Sequence, residues 1–317
     1  MKKVKVAVIG CGYLGRWHVE KAISLEDAEL VAIVENSQEG KSRASELFPD
    51  VRIELDLSEV LNDIDAAIVA TPTSTHYSLV NNLINAGKHV FCEKPLTSSL
   101  EDAIKLNQIK LPNNLVLQVG HSERFHNVWK TIKSDSELKQ FFDDKACITI
   151  DRYAPFKGRA TDVDVVSDLM IHDLDLLWHL FEEEPKDVYA AGHKINTNKW
   201  DHVTAVVNFS SGRRAILICG RGHVEEQRKV QIIGKRGTLL IDLMNYSYSY
   251  ASPGATPENI VKKSYEKADH LLEEQKLFYS SILKNLESPV SMSDGIKAVT
   301  WVDAVQRSLE SGKAEPL

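Results

Sequence analysis

The strongest constraint on this chain sits at its start. A short apolar run, Val4–Ile9, ends on Gly10-Cys11-Gly12-Tyr13-Leu14-Gly15 and leads into a helical stretch, Leu14–Leu25. A GxGxxG element carries little meaning alone and much more between a strand and a helix. The first glycine permits a tight turn, the second lets the backbone approach a pyrophosphate, and the third lets helix and strand pack closely. Free N–H groups at the helix N-terminus then receive the phosphates. The expected product is a βα turn that binds a dinucleotide through Gly10, Gly12, Tyr13, Leu14 and Gly15.

The runs that follow repeat the alternation. Leu30–Val34, Ala66–Ala70, His89–Cys92 and Leu115–Val119 read as strands, and Gln38–Phe48, His76–Ala86 and Leu100–Ile109 as helices. Near-continuous apolar strands separated by helices imply βαβ units in a parallel sheet covered on both faces. Residues 1–122 are therefore expected to form a doubly wound Rossmann domain. Past Gly120 the pattern changes. Phe125–Lys133 and Ser167–Phe181 look helical, and Val188–Ile195, His202–Phe209, Ala215–Cys219, Lys229–Ile233 and Thr238–Asp242 are β-rich runs joined by short loops. Tyr246–Asn259 reads as a loop, with helices over Lys262–Leu286 and Asp294–Leu309. Residues 123–317 are expected to form an α+β domain on an open-faced, mixed, largely antiparallel sheet, giving an α/β chain of two domains.

Composition excludes several classes. The formal net charge of −7 leaves no basic excess for a nucleic-acid partner. No run approaches the ~18 apolar residues of a membrane span. Cys11, Cys92, Cys147 and Cys219 are scattered, with no CxxC pair. They read as free thiols of a reducing cytoplasm.

Chemistry-bearing residues fall where ligands of open α/β sheets bind, beyond the carboxyl ends of the strands. Glu35 ends the second strand run, where a carboxylate would take ribose hydroxyls and repel a 2′-phosphate, which favours NAD over NADP. Thr71-Pro72-Thr73-Ser74-Thr75-His76 follows one strand end and Glu93-Lys94-Pro95 another. A lysine there can hydrogen-bond a substrate hydroxyl and ease its deprotonation. Asp168 and His172 lie four apart, on one helix face. The carboxylate can orient the imidazole, which is then fit to take a hydroxyl proton. Asp168, His172 and Asp175 also have helical spacing for zinc, but no cysteine or second histidine completes a clear set, so no metal is expected.

Together these residues resemble the Gfo/Idh/MocA family of oxidoreductases. The likeness runs almost end to end: GCGYLG, ATPTSTH at Ala70–His76, Glu93-Lys94-Pro95, GHSERF at Gly120–Phe125, DLMIHDLD at Asp168–Asp175, and the closing SPVSMSDGIKAV and ESG stretches. The resemblance implies an NAD-dependent enzyme acting on a CH–OH group, with Lys94 and His172 catalytic, Asp168 the partner of His172, and a cis Lys94–Pro95 bond. Thr71, Pro72, Thr73, His76, Glu93 and Lys94 would join the glycine loop and Glu35 on the cofactor. Lys94, His121, Arg124, Arg152, Asp168 and His172 would face the substrate. The second domain would mediate a homodimer or homotetramer. GHSERF with DVDVVSDLMIHDLDL is similar to a subgroup that includes UDP-N-acetylglucosamine 3-dehydrogenases, which implies a sugar or nucleotide-sugar 3-hydroxyl as substrate. Arg124, Arg152, Lys157 and Arg159 would then bind a diphosphate through N–H forks and charge. Inositol or a free aldose is the alternative substrate, and a non-enzymatic NAD-binding sensor the alternative class.

Overall fold

The computed structural model describes residues 2–112, 114–143, 145–158 and 160–317. These form two compact units, one of residues 1–122 with 269–299 and one of 123–268 with 300–317.

The first unit carries β1 (Val4–Ile9), α1 (Gly15–Ser24), β2 (Ala28–Val34), α2 (Gln38–Leu47), β3 (Ile53–Glu54), β4 (Ala66–Val69), α3 (His76–Asn85), β5 (His89–Glu93), α4 (Leu100–Asn107) and β6 (Leu117–Gly120). The strands make one parallel sheet in the order β3-β2-β1-β4-β5-β6, so the chain winds outward from β1 in both directions. Such a sheet has a switch point between β1 and β4, where ligands of doubly wound folds bind. On one face, Val6, Val8, Val19, Ile33, Ile68 and Phe91 share a core with Phe278 and Tyr279. The last two belong to α8 (His270–Lys284). The segment 269–299 therefore packs in the first unit rather than in a second domain of residues 123–317. The apolar stripe of α8 answers the open face beside α1, where Phe278 stacks edge-on against Phe91 at 5.8 Å. Burying a ring of that size favours the arrangement by about 1.5–3 kcal/mol.

The second unit holds α5 (Asn127–Ser134), α6 (Ser136–Lys139), β7 (Cys147–Ala154), α7 (Ile171–Phe181), β8 (Pro185–His193), β9 (His202–Phe209), β10 (Arg214–Arg221), β11 (Gln227–Gly234), β12 (Gly237–Asp242), β13 (Ser247–Ala251), β14 (Val261–Ser264) and β15 (Glu315–Pro316). A further helix, α9 (Met292–Ser311), begins in the first unit and ends in the second. The sheet order is β14-β13-β12-β11-β7-β10-β9-β8-β15, antiparallel except for β7 beside β10. This is the mixed, largely antiparallel sheet expected. Its central strands alternate: Val203, Ala205 and Val207 of β9, Ala215 and Leu217 of β10, and Ile148 and Ile150 of β7 are covered, while the residues between them are half-exposed. Strands also occupy Ser247–Ala251 and Val261–Ser264, where a loop and the start of a helix were expected. Tyr248 and Tyr250 are buried on one side of β13, and that period of two overrides the turn-like Ser, Pro and Gly content around it. Among the described residues, no helix is long and apolar enough to cross a membrane.

Candidate active site

The glycine loop is built as its sequence requires. Gly10 has φ of +86°, a conformation that side chains rarely adopt. A Cβ on Gly15 would lie 1.9 Å from the Gly10 carbonyl oxygen, so only glycine lets α1 start this close to β1. Gly12 is different: a Cβ there would meet nothing within 4 Å. The fold does not need Gly12, and the space above it is the cradle a pyrophosphate requires. Tyr13 is 64% exposed beside the loop, and Arg16 lies over the Tyr13 and Trp17 rings. Glu35, at the end of β2, is buried and takes the Cys11 N–H on Oε1 at 2.5 Å. Its other oxygen lies over Gly40, whose lack of a side chain leaves room for it. The nearest following cations, Lys41 and Arg43, face Glu54 and Glu39. An acidic strand end with no cation directed at it among the described residues fits a free 2′-hydroxyl. The Cys11 thiol is pushed up to about 11, by burial first and the Glu35 charge second, so it is a packing group and not a nucleophile.

The β4 and β5 ends are tied together. His76 is buried, with Nδ1 at 2.8 Å from the Pro95 carbonyl and Nε2 at 2.9 Å from the Thr71 carbonyl. Burial lowers its pKa, and the two carbonyls only partly offset this. The neutral imidazole has a single N–H, so it donates to one of these carbonyls and packs against the other, at a position for which the resemblance implied a cofactor contact. The Thr71 hydroxyl pairs with Thr75, which donates in turn to the Pro72 carbonyl. Thr73 opens a short 3₁₀ turn before α3. The Lys94–Pro95 bond is cis. Glu93 is buried and accepts from the Lys94 N–H at 3.2 Å and faces His18 Nε2 at 2.7 Å. Lys94 is therefore held through its own main chain. His121 is buried just past β6.

In the second unit, Asp168 lies in a π-helical turn, Val166–Met170, that runs into α7. His172 sits in the first turn of α7 and is half-buried. Widened turns of this kind are frequent at functional sites. Asp168 lines a recess with Arg152, Lys157, Arg221, Glu226 and Arg228. Arg152 follows Ile148 and Ile150 on the covered face of β7, and it spends its guanidinium on Asp173, with Nε and Nη2 at 2.9 and 2.8 Å from Oδ1. It also meets Glu123 at 3.3 Å. Burial would raise the Glu123 carboxyl, but Arg152, His126 and Arg228 together hold it well below the usual range. Arg124 forms a two-pronged pair with Asp175 at 2.8 and 2.6 Å, both side chains buried. The two arginines expected to hold a substrate anion are thus committed to internal carboxylates. Asp175 is likewise committed to Arg124. Arg159 lies outside the described residues. Lys157 pairs with Glu226 at 3.3 Å and Arg228 with Glu123 at 3.1 Å, yet they keep 46% and 35% of their side chains exposed. Arg228 was missed, since one basic residue in a β-rich run carries no positional signal.

The family models match both parts of the chain. One, described as an oxidoreductase family with an NAD-binding Rossmann fold, covers residues 4–121, and its C-terminal alpha/beta domain covers 157–317. The chain belongs to the Gfo/Idh/MocA oxidoreductase family. Among its relatives, a UDP-N-acetylglucosamine 3-dehydrogenase of Acidithiobacillus ferrooxidans is 33% identical over 257 residues, 80% of this chain and 79% of that protein. A myo-inositol 2-dehydrogenase of Thermotoga maritima is 26% identical over 99% of this chain and 98% of its own length. A solved structure of the Acidithiobacillus enzyme superposes with a TM-score of 0.88 at 29% identity, covering 98% of this chain and 99% of that one. Family membership makes the first unit an NAD-binding domain, and the open Gly12 cradle is where the dinucleotide fits.

The two glycines separate folding from binding. Gly12→Ala is expected to leave the melting temperature unchanged and to weaken NADH binding, read by fluorescence titration, by roughly tenfold, or about 1.4 kcal/mol. Gly15→Ala should lower the melting temperature itself, because its Cβ meets backbone. The reverse pattern would contradict the assignment of Gly12 to the phosphates.

Proposed function

We propose that this chain is an NAD-dependent dehydrogenase of a secondary carbinol on a sugar or nucleotide sugar, with Lys94, His172 and Asp168 as its working side chains. The observation that carries the reading is the fixing of Lys94. Its N–H is held by Glu93, and the following Pro95 carbonyl lies 2.8 Å from the buried His76 ring, at the carboxyl edge of the parallel sheet. A lysine on such a frame donates to a substrate oxygen without first losing main-chain freedom. Gly10–Gly15 and Glu35 would hold NAD, which when bound would supply the hydride acceptor. His172 takes the proton of the carbinol hydroxyl as the oxygen becomes a carbonyl. Asp168 favours the imidazolium that forms, through its negative charge. Lys94 stabilises the developing charge on the same oxygen.

The substrate proposed first carries a UDP-N-acetylglucosamine-like 3-hydroxyl. Two things support it: the 33% identical relative of that name, and the cationic recess beside Asp168. Lys157 and Arg228 have solvent-facing charge there, so Lys157 keeps the diphosphate role that the resemblance gave it with Arg124, Arg152 and Arg159, and Arg228 joins it. A free polyol such as inositol is the second reading, favoured by the full-length match to the Thermotoga protein. The half-exposed face of the nine-stranded sheet is the proposed contact with a second copy of the chain. The four free thiols suit the cytoplasm.

Lys94→Ala and His172→Ala should each lower turnover, followed as NADH formation, by roughly 10²-fold or more while the protein still binds NADH. Near-normal turnover in both would remove the assignment. Lys157→Ala and Arg228→Ala should raise KM for the UDP-sugar by about tenfold each, the scale of one charge-assisted contact, and leave KM for a free polyol unmoved. An equal rise for both substrates would favour the polyol reading.

A further inference from the structure

Behind Lys94 lies a buried polar array that the reaction above does not use. His18 of α1, Glu93 of β5 and Glu274 of α8 bring their donor atoms within 4.8 Å of one another, and all three side chains are buried. The proton positions follow from the hydrogen-bond pattern. The Tyr279 hydroxyl donates to Gln275 Oε1 at 3.1 Å, which turns the Gln275 amide nitrogen toward His18. That nitrogen lies 3.2 Å from the His18 carbonyl, which can only accept, and 2.8 Å from His18 Nδ1. Nδ1 is therefore an acceptor and Nε2 carries the single proton, donated to Glu93 Oε1 at 2.7 Å. His18 is neutral. Glu93 receives a second N–H, from Lys94, on Oε2.

Glu274 receives none. Both its carboxyl oxygens are buried without a donor among the described residues, although its main-chain carbonyl takes the Gln118 amide at 2.8 Å. Two carboxylates this close in a dry interior, with only a neutral imidazole between them, cannot both be ionised. The array has no room to spread, since a Cβ on Gly120 would sit 2.9 Å from Glu93 Oε1. Burial first, then the Glu93 charge, drives the Glu274 carboxyl well above the ordinary range.

We infer that Glu274 is a neutral carboxylic acid that shares its proton with Glu93, so that His18, Glu93 and Glu274 form a buried proton-sharing array positioning the Lys94 peptide. Glu274 is a positioning residue: it acts on Glu93, and Glu93 on Lys94. The same three side chains also have the composition of a divalent-cation site. The tautomer argues against that use, because His18 Nε2 presents a proton to the centre of the cluster where a metal needs a lone pair.

The inference rests on the proposed role of Lys94, and the test keeps the two apart. The infrared spectrum of the folded protein at neutral pH should show the C=O band of a buried carboxylic acid that shifts in D2O. The band should vanish in Glu274→Gln, shift in Glu93→Gln, where a neutral amide replaces the charged acceptor, and stay in Lys94→Ala. Its absence from the wild type, or its survival in Glu274→Gln, would overturn the inference whether or not the enzyme turns over. So would one divalent cation per purified chain that Glu274→Gln loses. If the band behaves as stated and Lys94→Ala still turns over, the reading of the reaction fails and the array stands. For positioning, Glu274→Leu should lower kcat about tenfold with KM for NAD unchanged, as small misplacements of reacting groups do. Glu274→Gln, which restores a donor, should recover most of that loss. Equal loss in both variants would overturn the positioning role.

Discussion

The approach of Gly15 to the Gly10 carbonyl is the contact on which the first unit depends. With no Cβ at Gly15, the first turn of α1 seats on the end of β1 at a distance no other residue permits. That seating fixes where the rest of α1 runs. One turn on, His18 reaches across to β5, packs edge-on against Phe91 at 5.1 Å and donates to Glu93. Glu93 holds the Lys94 N–H. A backbone contact in the dinucleotide turn is thereby linked through four residues to the proposed catalytic lysine. Helix α8 closes the arrangement from the other side, with Gln275 setting the His18 tautomer and Phe278 filling the core beneath.

Charge is handled differently in the second unit. Arg152 and Arg124 are buried and bound to Asp173 and Asp175, both on α7. Removing one partner of such a pair strands a buried charge, which typically costs about 3–5 kcal/mol. The pairs therefore read as fasteners that hold α7, and with it His172, against its surroundings. The surface proposed for an anion carries Lys157 and Arg228, which share their recess with Asp168 and Glu226.

Much of this was legible beforehand. GCGYLG between a strand and a helix specified the dinucleotide turn, and strand–helix alternation specified the parallel sheet. The alternation of CITIDRYA also carried an unread message: Arg152 shares a face with Ile148 and Ile150, and an arginine on a core face needs an internal carboxylate. Such period-two reasoning would have given Arg152 an internal carboxylate partner. It would also have found β13 in Ser247–Ala251, where the Ser and Tyr content suggested a loop. Other features lay beyond local pattern. That α8 returns to the first unit depends on which apolar face remains open after folding. The His18–Glu93–Glu274 array joins residues some 180 positions apart, between Glu93 and Glu274. His76 follows a strand end, and its burial between two backbone carbonyls carries no local sequence signal.

The central claim is that a carbinol carbon gives up hydride at this site. It is tested most directly by supplying NAD and UDP-N-acetylglucosamine bearing deuterium at sugar C3, then analysing the reduced cofactor by mass spectrometry. The account predicts one deuterium in each NADH formed, with the 3-keto sugar as co-product. Unlabelled NADH, with the deuterium released to water, would contradict it.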